Sequence, residues 1–553
     1  MMIKKPGLLI YCFLFIGTFQ LFSQEVWLVD PLDPIYPDRN ELSQKGYQHA
    51  DFPSSAPVDI HLVVSAQPGQ KISISALLDG LELPVQYWSQ LRDVPVEQNT
   101  GLDSRTEQFI NKINPHVIRR APFQIYEIIE PMESKTVQVA NTYDAFRLEI
   151  PASLGLKPGK HKIEIRVSGS SFQKEISFTA KVFEGTLPPL SEGNFFYTNW
   201  FNLNKMESYH GVERWTMPWY QMLDKYARLM AHGRQNCVII PGELIRYENG
   251  VFSLDGDRMI AFIDVFRKRG FQYFESPHLM YRGDGDDWGA AELKVHLTKN
   301  GYFSPEGKKD VQEILKLIRD FTQKNNLIHQ WLQHIADEPT SANAQCYKDV
   351  VAQVKEIYPE IQIMEATNDR DGIAGAIDMW CPLINDFQEN EDFFRAREKL
   401  GEKVLVYTCL IPGGRWLNRT MDMEKLRQVY FGWGASHYNT FGYLHWGLNQ
   451  YIEDPFSQSV VHHPSPVASA NNFLPAGDTH VVYPGKNGPL SSLRFEAHRI
   501  GVEDFELLRQ LKERNQKKHD RLVSKLFRSY TDYNLSVKDY RKGRRKLLKS
   551  MEG

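Results

Sequence analysis

Asp337 and Glu338 are adjacent carboxylates at the end of the apolar-rich run Trp331-Leu332-Gln333-His334-Ile335-Ala336, and Pro339 closes it. A buried strand that ends at an active site has this pattern. Two neighbouring acids repel, which raises the pKa of one of them. Such a pair suits proton transfer and charge stabilisation near neutral pH. The competing interpretation is a surface loop, where Asp, Glu and Pro are common. The elements that position the pair decide between the two.

After the stiff segment Thr186-Leu187-Pro188-Pro189, strand-like and helical runs alternate. Strands are predicted at 195–201, 236–240, 271–275, 328–335, 362–366, 377–380, 403–408 and 440–446. Helices are predicted at 219–231, 257–269, 306–322, 342–357, 391–400 and 423–434, with another from 495. Eight strands in this rhythm suit a (β/α)8 TIM-like barrel. The link between strands five and six is short, so that repeat is expected to be degenerate. No Gly-x-Gly-x-x-Gly follows the first strand, which disfavours a doubly wound sheet. The count puts Asp337 and Glu338 at the C-terminal end of strand four, the rim that carries the active site in such barrels.

Residues 26–183 instead show short alternating strands with Pro/Gly turns, such as Pro68-Gly69 and Pro158-Gly159, which argue a β-sandwich. The fold expected is therefore multidomain: a signal peptide at 1–23, an all-β sandwich at 24–189, an α/β barrel at 190–510 and a basic helical extension at 511–553. Lys4, Lys5, the apolar run 8–22 and Ser23 form the signal. The apolar run is short for a membrane span and no later span is seen, so soluble export, periplasmic or extracellular, is expected. The extension, rich in Lys and Arg, is expected to show a solvated basic helix face.

The chain of 553 residues carries a net charge of -3, which asks for no nucleic-acid partner. Aromatic residues make up 12%, with 11 Trp, which suits ring stacking on sugars. Cys237, Cys346, Cys381 and Cys409 lack Cys-x-x-Cys spacing, so no zinc is expected, and their apolar flanks suggest buried thiols.

Other strand ends should supply the walls of a pyranose site. Candidates for substrate binding are Trp200 after strand one, His278 after strand three, Asn368 after strand five and Trp380 at the end of strand six. Tyr407 and Trp416 belong to strand seven and its loop, and Trp446 and Asn449 to the end of strand eight. Trp and Tyr stack on sugar rings, while Asn and His bond hydroxyls directionally. Each could equally cap the barrel core.

Retaining glycosidases usually use two separated carboxylates about 5 Å apart. Strand seven ends Val406-Tyr407-Thr408-Cys409-Leu410-Ile411-Pro412, with no acid. Asp337 then becomes the second carboxylate, which suits substrate-assisted hydrolysis of a 2-acetamido sugar. Glu338 would be the acid/base and Asp337 would orient the acetamido group and stabilise charge. Tyr407 could bond the acetamido group. The scheme needs no metal and no cofactor. The alternatives are a glycosidase pairing Glu338 with Glu275, Glu365 or Glu453, and a non-catalytic glycan-binding barrel protein.

The tail Ser491-Ser492-Leu493-Arg494-Phe495-Glu496-Ala497-His498-Arg499-Ile500-Gly501-Val502-Glu503-Asp504-Phe505-Glu506 follows Gly477-Asp478 and Tyr483-Pro484-Gly485. With Asp337-Glu338-Pro339 and the sandwich ending Val182-Phe183-Glu184-Gly185-Thr186-Leu187-Pro188-Pro189, it resembles glycoside hydrolase family 123, the β-N-acetylgalactosaminidase family. Members resemble the tail as Arg-x-Glu-x-x-Arg-x-Gly-x-Glu-Asp-Tyr-Glu, and here Phe505 replaces Tyr. The resemblance implies a β-sandwich before a (β/α)8 barrel and an exo-acting hydrolase removing terminal β-linked N-acetylgalactosamine from glycans, with Asp337 and Glu338 as the pair. Arg494, Glu496, Arg499, Glu503 and Asp504 are expected to form an ion-pair network.

Overall fold

The computed structural model describes residues 24–38, 46–103, 105–367 and 369–552. The expected signal peptide at 1–23 and the candidate Asn368 lie outside the described residues.

Two sheets face each other in the N-terminal part. One orders Glu25–Val29, Val58–Ser65, Tyr143–Ile150, Trp88–Val96 and Phe123–Pro131. The other orders His49–Pro53, Gln173–Phe183, Gly159–Gly169, Lys71–Leu78 and Leu81–Glu82. Their inner faces share one core that includes Ile60, Leu62, Ile74, Ile163, Ile165 and Phe178. Lys71–Leu78 alternates strictly between buried and more exposed residues, as a half-solvated strand should. Val58–Ser65 is buried on both faces. Its outer face carries Asp59 and His61, and Arg147 of the adjacent strand bonds Asp59 at 2.9 Å while reaching Glu496 of the later chain at 3.2 Å.

The first sheet is completed by the hairpin Tyr483–Gly485 and Gly488–Ser492, which adds to Phe123–Pro131 with Ser491 opposite Ile129. The sheet therefore draws strands from both ends of the chain, across the boundary expected at 189. A continuous-segment division misses this because the hairpin follows the eight βα-type strands in sequence.

Those eight strands are Phe196–Asn199, Cys237–Ile239, Tyr273–Glu275, Trp331–Gln333, Gln362–Thr367, Met379–Pro382, a seventh split into Lys403–Val404 and Val406–Tyr407, and Gly442–His445. Every ladder among them is parallel. Strands two to six and the first half of seven form one sheet, while the second half of seven, eight and one form another. Between strands one and two no ladder is present among the described residues. Asn236 fills the gap, its backbone N–H donating to Tyr197 O at 3.1 Å and its Oδ1 accepting from Tyr197 N at 2.9 Å. The hydrogen-bonded ladders thus do not close into a ring.

Side-chain alternation makes two layers. Phe196, Leu332, Met364, Cys381, Leu405 and Leu444 meet on one face of the strands. Tyr197, Val238, Phe274, Trp331, Ile363 and Val404 turn the other way, under helices such as Met217–His232, Pro305–Lys324 and Ala344–Ile357. No helix is described between strands five and six, the repeat expected to be degenerate.

The C-terminal extension shows the expected solvated basic face, with Lys538, Lys542, Arg545, Lys546 and Lys549 exposed, and it also packs a second face against the rest of the chain. In the helix Val537–Lys549, Tyr540, Gly543, Arg544, Leu547 and Leu548 are buried. Arg541 pairs with Asp30 at 2.6 Å, Arg545 with Asp51 at 2.6 Å and Arg544 with Asp504 at 2.8 Å. Arg544 and Arg541 turn inward because acids of the N-terminal sheet and of Leu493–Arg514 meet them, while Arg545 reaches Asp51 from an exposed position. On that helix Arg494 pairs with Glu127 at 2.6 Å, Arg499 pairs with Glu496 at 2.8 Å and also bonds Glu503. The four cysteines are free, with Cys409 only partly buried. Among the described residues no helix is long and apolar enough to cross a membrane.

Candidate active site

The fourth strand ends at Gln333, and the chain then turns under the control of its neighbour. Glu365, on strand five, accepts the backbone N–H groups of Ile335 and Ala336 at 2.8 and 3.1 Å. The turn brings Glu338 to a φ of 46°, a left-handed conformation that costs a non-glycine residue about 1 kcal/mol. Arg282 holds it there, its Nη1 donating to the carbonyls of Asp337 at 2.7 Å and Glu338 at 3.1 Å. Asp286 fixes the Arg282 Nε at 2.9 Å, and the guanidinium lies 4.1 Å from the centre of the Trp288 ring. Leaving the pleat in this way frees two consecutive side chains from pointing to opposite faces.

The pair is unequal. Tyr407, buried at the end of strand seven, donates its hydroxyl to Glu338 Oε1. Burial, and then the Glu338 carboxylate, push the phenol far above its ordinary range, so it remains a donor. Among the described residues no side chain donates such a bond to Asp337. Protein packing around its carboxylate, with Glu365 nearby, raises its pKa, while His278, His334 and Arg282 oppose the rise. Its side chain is still 45% exposed, which tempers the burial effect.

Beneath Asp337 lies a buried relay. His334 bonds Glu365 through Nδ1 at 2.9 Å and Glu275 through Nε2 at 2.9 Å. Burial works to lower the His334 pKa, but the two carboxylates outweigh it and push it up to about 10. Burial likewise works to raise Glu275 and Glu365, and His334 outweighs it, so both lie below the usual carboxylate range. Glu275 also accepts from the Trp200 indole at 2.9 Å and the Cys237 thiol at 3.1 Å, and Glu365 from the Tyr347 hydroxyl at 3.1 Å.

Donor atoms of His278, His334 and Glu365 lie within 4.8 Å of one another. As an imidazolium with both nitrogens on carboxylates, His334 has no lone pair to offer a metal. A second group, Glu149, His232 and Glu496, meets the same distance test, but Arg147 and Arg499 already neutralise its acids.

A cavity of about 640 Å³ opens beside Asp337, with Trp200, Asn202, Pro241, His278 and Gln450 among its walls. Trp200 and His278 thus line it. Trp446 is partly exposed at the end of strand eight, and its indole donates to Asp478 Oδ1 at 3.3 Å. Asp478 is buried, with Oδ2 unpartnered, and burial pushes its pKa up to about 7 against the pull of Arg419.

Three candidates are placed otherwise. Trp380 is wholly buried on the helix side of strand six, donating to Glu402 at 2.5 Å and packing edge-on to Phe393 at 5.5 Å. Its neighbours Met379 and Cys381 take the opposite face, so strand parity turns it from the cavity. Asn449 is buried with both ends of its amide on the Asn202 backbone, at 2.8 and 2.9 Å, and so joins two loops. Trp416 packs against the main core, its carbonyl accepting from Arg427 at 3.1 Å. Sequence reasoning missed Arg282, Trp288, the role of His334 and the Asp478 anchor. Only His334, three residues before Asp337 in the chain, gave a local signal.

Residues 200–511, more than half of the chain, match the family described as "Glycoside hydrolase 123, catalytic domain". A solved family 123 glycoside hydrolase from Clostridium perfringens, described in a study of glycolipid glycan hydrolysis, superposes with a TM-score of 0.70. It is 15% identical, covering 96% of this chain and 97% of that one, a likeness of fold. A Parabacteroides merdae β-glucuronidase overlaps with a TM-score of only 0.33, at 8% identity over 86% of this chain and 51% of that one. No curated protein matches the sequence. With its catalytic region matched over 200–511, the chain belongs to glycoside hydrolase family 123, a family of glycosidases.

Proposed function

We propose that the protein is an exported, exo-acting β-N-acetylgalactosaminidase that removes terminal 2-acetamido sugars from glycans with retention of configuration. The observation that carries this reading is the arrangement at the end of strand seven: Tyr407, not a carboxylate, faces Glu338. The rival partners are otherwise engaged. Glu275 and Glu365 are buried on His334, and Glu453 stands on an exposed loop. That leaves Asp337 beside Glu338, and the substrate supplies the nucleophile.

In the first step Glu338 protonates the glycosidic oxygen as its bond to the anomeric carbon breaks. The acetamido carbonyl oxygen bonds to that carbon and gives an oxazolinium ion. Asp337 accepts the acetamido N–H and stabilises the positive charge. Glu338 then takes a proton from water as the water opens the ring. Trp200 and Trp446 supply aromatic walls, and the cavity beside Asp337 receives the sugar. In this reading the eight parallel strands act as a barrel whose C-terminal rim carries the site, with the sandwich at 24–189 and the extension at 511–553 as buttresses.

The test is the anomer released first, followed by proton NMR on aryl β-2-acetamido galactoside and glucoside. The β anomer of N-acetylgalactosamine, formed faster than that of N-acetylglucosamine, is expected. Initial release of the α anomer would overturn the mechanism, and equal rates on both sugars would overturn the specificity.

A further inference from the structure

His278, a wall of the cavity, reaches both the exposed acid and the buried relay. Its Nε2 lies 3.9 Å from Asp337 Oδ1 and 3.6 Å from Glu365 Oε1, buried and with no hydrogen-bond partner at normal distance. The ring cannot easily move elsewhere. Trp200 packs edge-on to it at 5.6 Å and His334 lies over it at 4.6 Å. The loop after strand three sets its height, and Leu279 N–H donates to His334 O at 3.4 Å.

We propose that His278 is a positioning residue that keeps Asp337 ionised and aimed at the acetamido N–H of the incoming sugar. The inference rests on the 2-acetamido reading above and adds how Asp337 is held ready. Asp337 must be a carboxylate to accept the N–H and to face positive charge on the oxazolinium ring. Its surroundings work against that. Glu338 is its neighbour in the chain, and Glu365 repels it from strand five. Cys381 on strand six and Tyr407 on strand seven are neutral, their ionisation made harder by burial and, among others, by the Asp337 charge. His334 is cationic, but it is already shared between two carboxylates. Arg282 gives its hydrogen bonds to the backbone of Asp337 and Glu338 and to the Asp286 side chain, not to the Asp337 carboxylate. His296, the other imidazole facing His278, is held neutral by burial, with a pKa lowered to about 4. His278 Nε2 therefore stands between Asp337 and Glu365, within reach of both carboxylates. A hydrogen-bond donor or an opposite charge at such range favours the ionised carboxylate, the latter by about 1 to 3 pKa units.

The experiment is the pH profile of kcat/KM on an aryl β-2-acetamido galactoside for the wild type, His278→Gln and His278→Ala. Wild-type turnover of this substrate tests the 2-acetamido reading, and the variants test the inference. Both variants should move the acidic limb up by about 1 unit or more, with a loss at least about tenfold larger below the limb than above it. His278→Gln keeps the ring's approximate volume, so it remains informative if His278→Ala fails to fold. A uniform loss with the limb unmoved would reduce His278 to a wall and overturn the proposal. A wild type inactive on every 2-acetamido glycoside would remove the reading beneath it.

Discussion

Tyr407 donates its hydroxyl to Glu338 from the end of strand seven, the place where a second carboxylate would otherwise stand. A hydrogen bond to a charged group is worth about 1.5 to 3 kcal/mol. Tyr407→Phe should therefore lower kcat by roughly 10- to 100-fold, with KM changed far less, because Glu338 loses its orientation rather than the sugar its pocket. Steady-state kinetics on an aryl glycoside measures both. A KM effect alone would place Tyr407 on the substrate instead.

Glu338 is held at positive φ, so its backbone works against stability. Glycine adopts that conformation freely and alanine does not. Glu338→Gly and Glu338→Ala should both be inactive on natural glycosides. The glycine variant should be the more stable by about 1 kcal/mol, read as a higher denaturant midpoint. An alanine variant as stable as the glycine one would mean the turn relaxes when the side chain is lost.

His334 holds two buried carboxylates apart. Removing one member of a buried charge cluster costs about 3 to 5 kcal/mol, and His334→Gln should show that loss at pH 7. Glu275 and Glu365 are depressed in the folded protein, so their contribution is present above the ordinary carboxylate range and is lost as pH falls. His334, raised to about 10, contributes below its ordinary value of 6.5 and loses that contribution as pH rises through 10. In the variant the carboxylates have no cation, so stability should recover toward pH 5 as one takes a proton. Thermal melts across pH 5 to 8 would show it, and a wild-type-like variant at pH 7 would deny the relay its structural role.

Asp478 has the opposite sign. Its folded pKa is raised from 3.8 to about 7 by burial, so its contribution is full below pH 4 and is lost as pH rises through 7. The slope is about 1.4 kcal/mol per pH unit. Asp478→Asn keeps an acceptor for the Trp446 indole and removes the titration. The variant should gain stability relative to wild type by a few kcal/mol between pH 4 and 8. A constant difference across that range would show that Asp478 does not titrate there.

The acid pair and the strand order were legible because both depend on local pattern. Apolar runs of strand length recur between helical ones, and Asp337-Glu338-Pro339 punctuates the fourth. Trp380 was misplaced because a Trp at a strand end looks the same whichever face it takes. Its parity follows from Met379 and Cys381, which sequence alone does not orient. The hairpin at 483–492 and the paired arginines of 537–549 meet residues hundreds of positions away, such as Ile129 and Asp30. Such pairings leave no periodic trace. Arg282 and Asp478 act through backbone carbonyls and an indole, partners that composition does not reveal.

In the proposed reaction the sugar's own 2-acetamido group is the nucleophile. The ratio of kcat/KM for aryl β-2-acetamido galactoside to that for the otherwise identical aryl β-galactoside tests it most directly. The acetamido substrate should turn over, and the 2-hydroxy one should give a value at least about 1000-fold lower, the order of loss when a nucleophile is removed. Comparable turnover of the two would contradict it, and would require a protein carboxylate to attack in place of the acetamido oxygen.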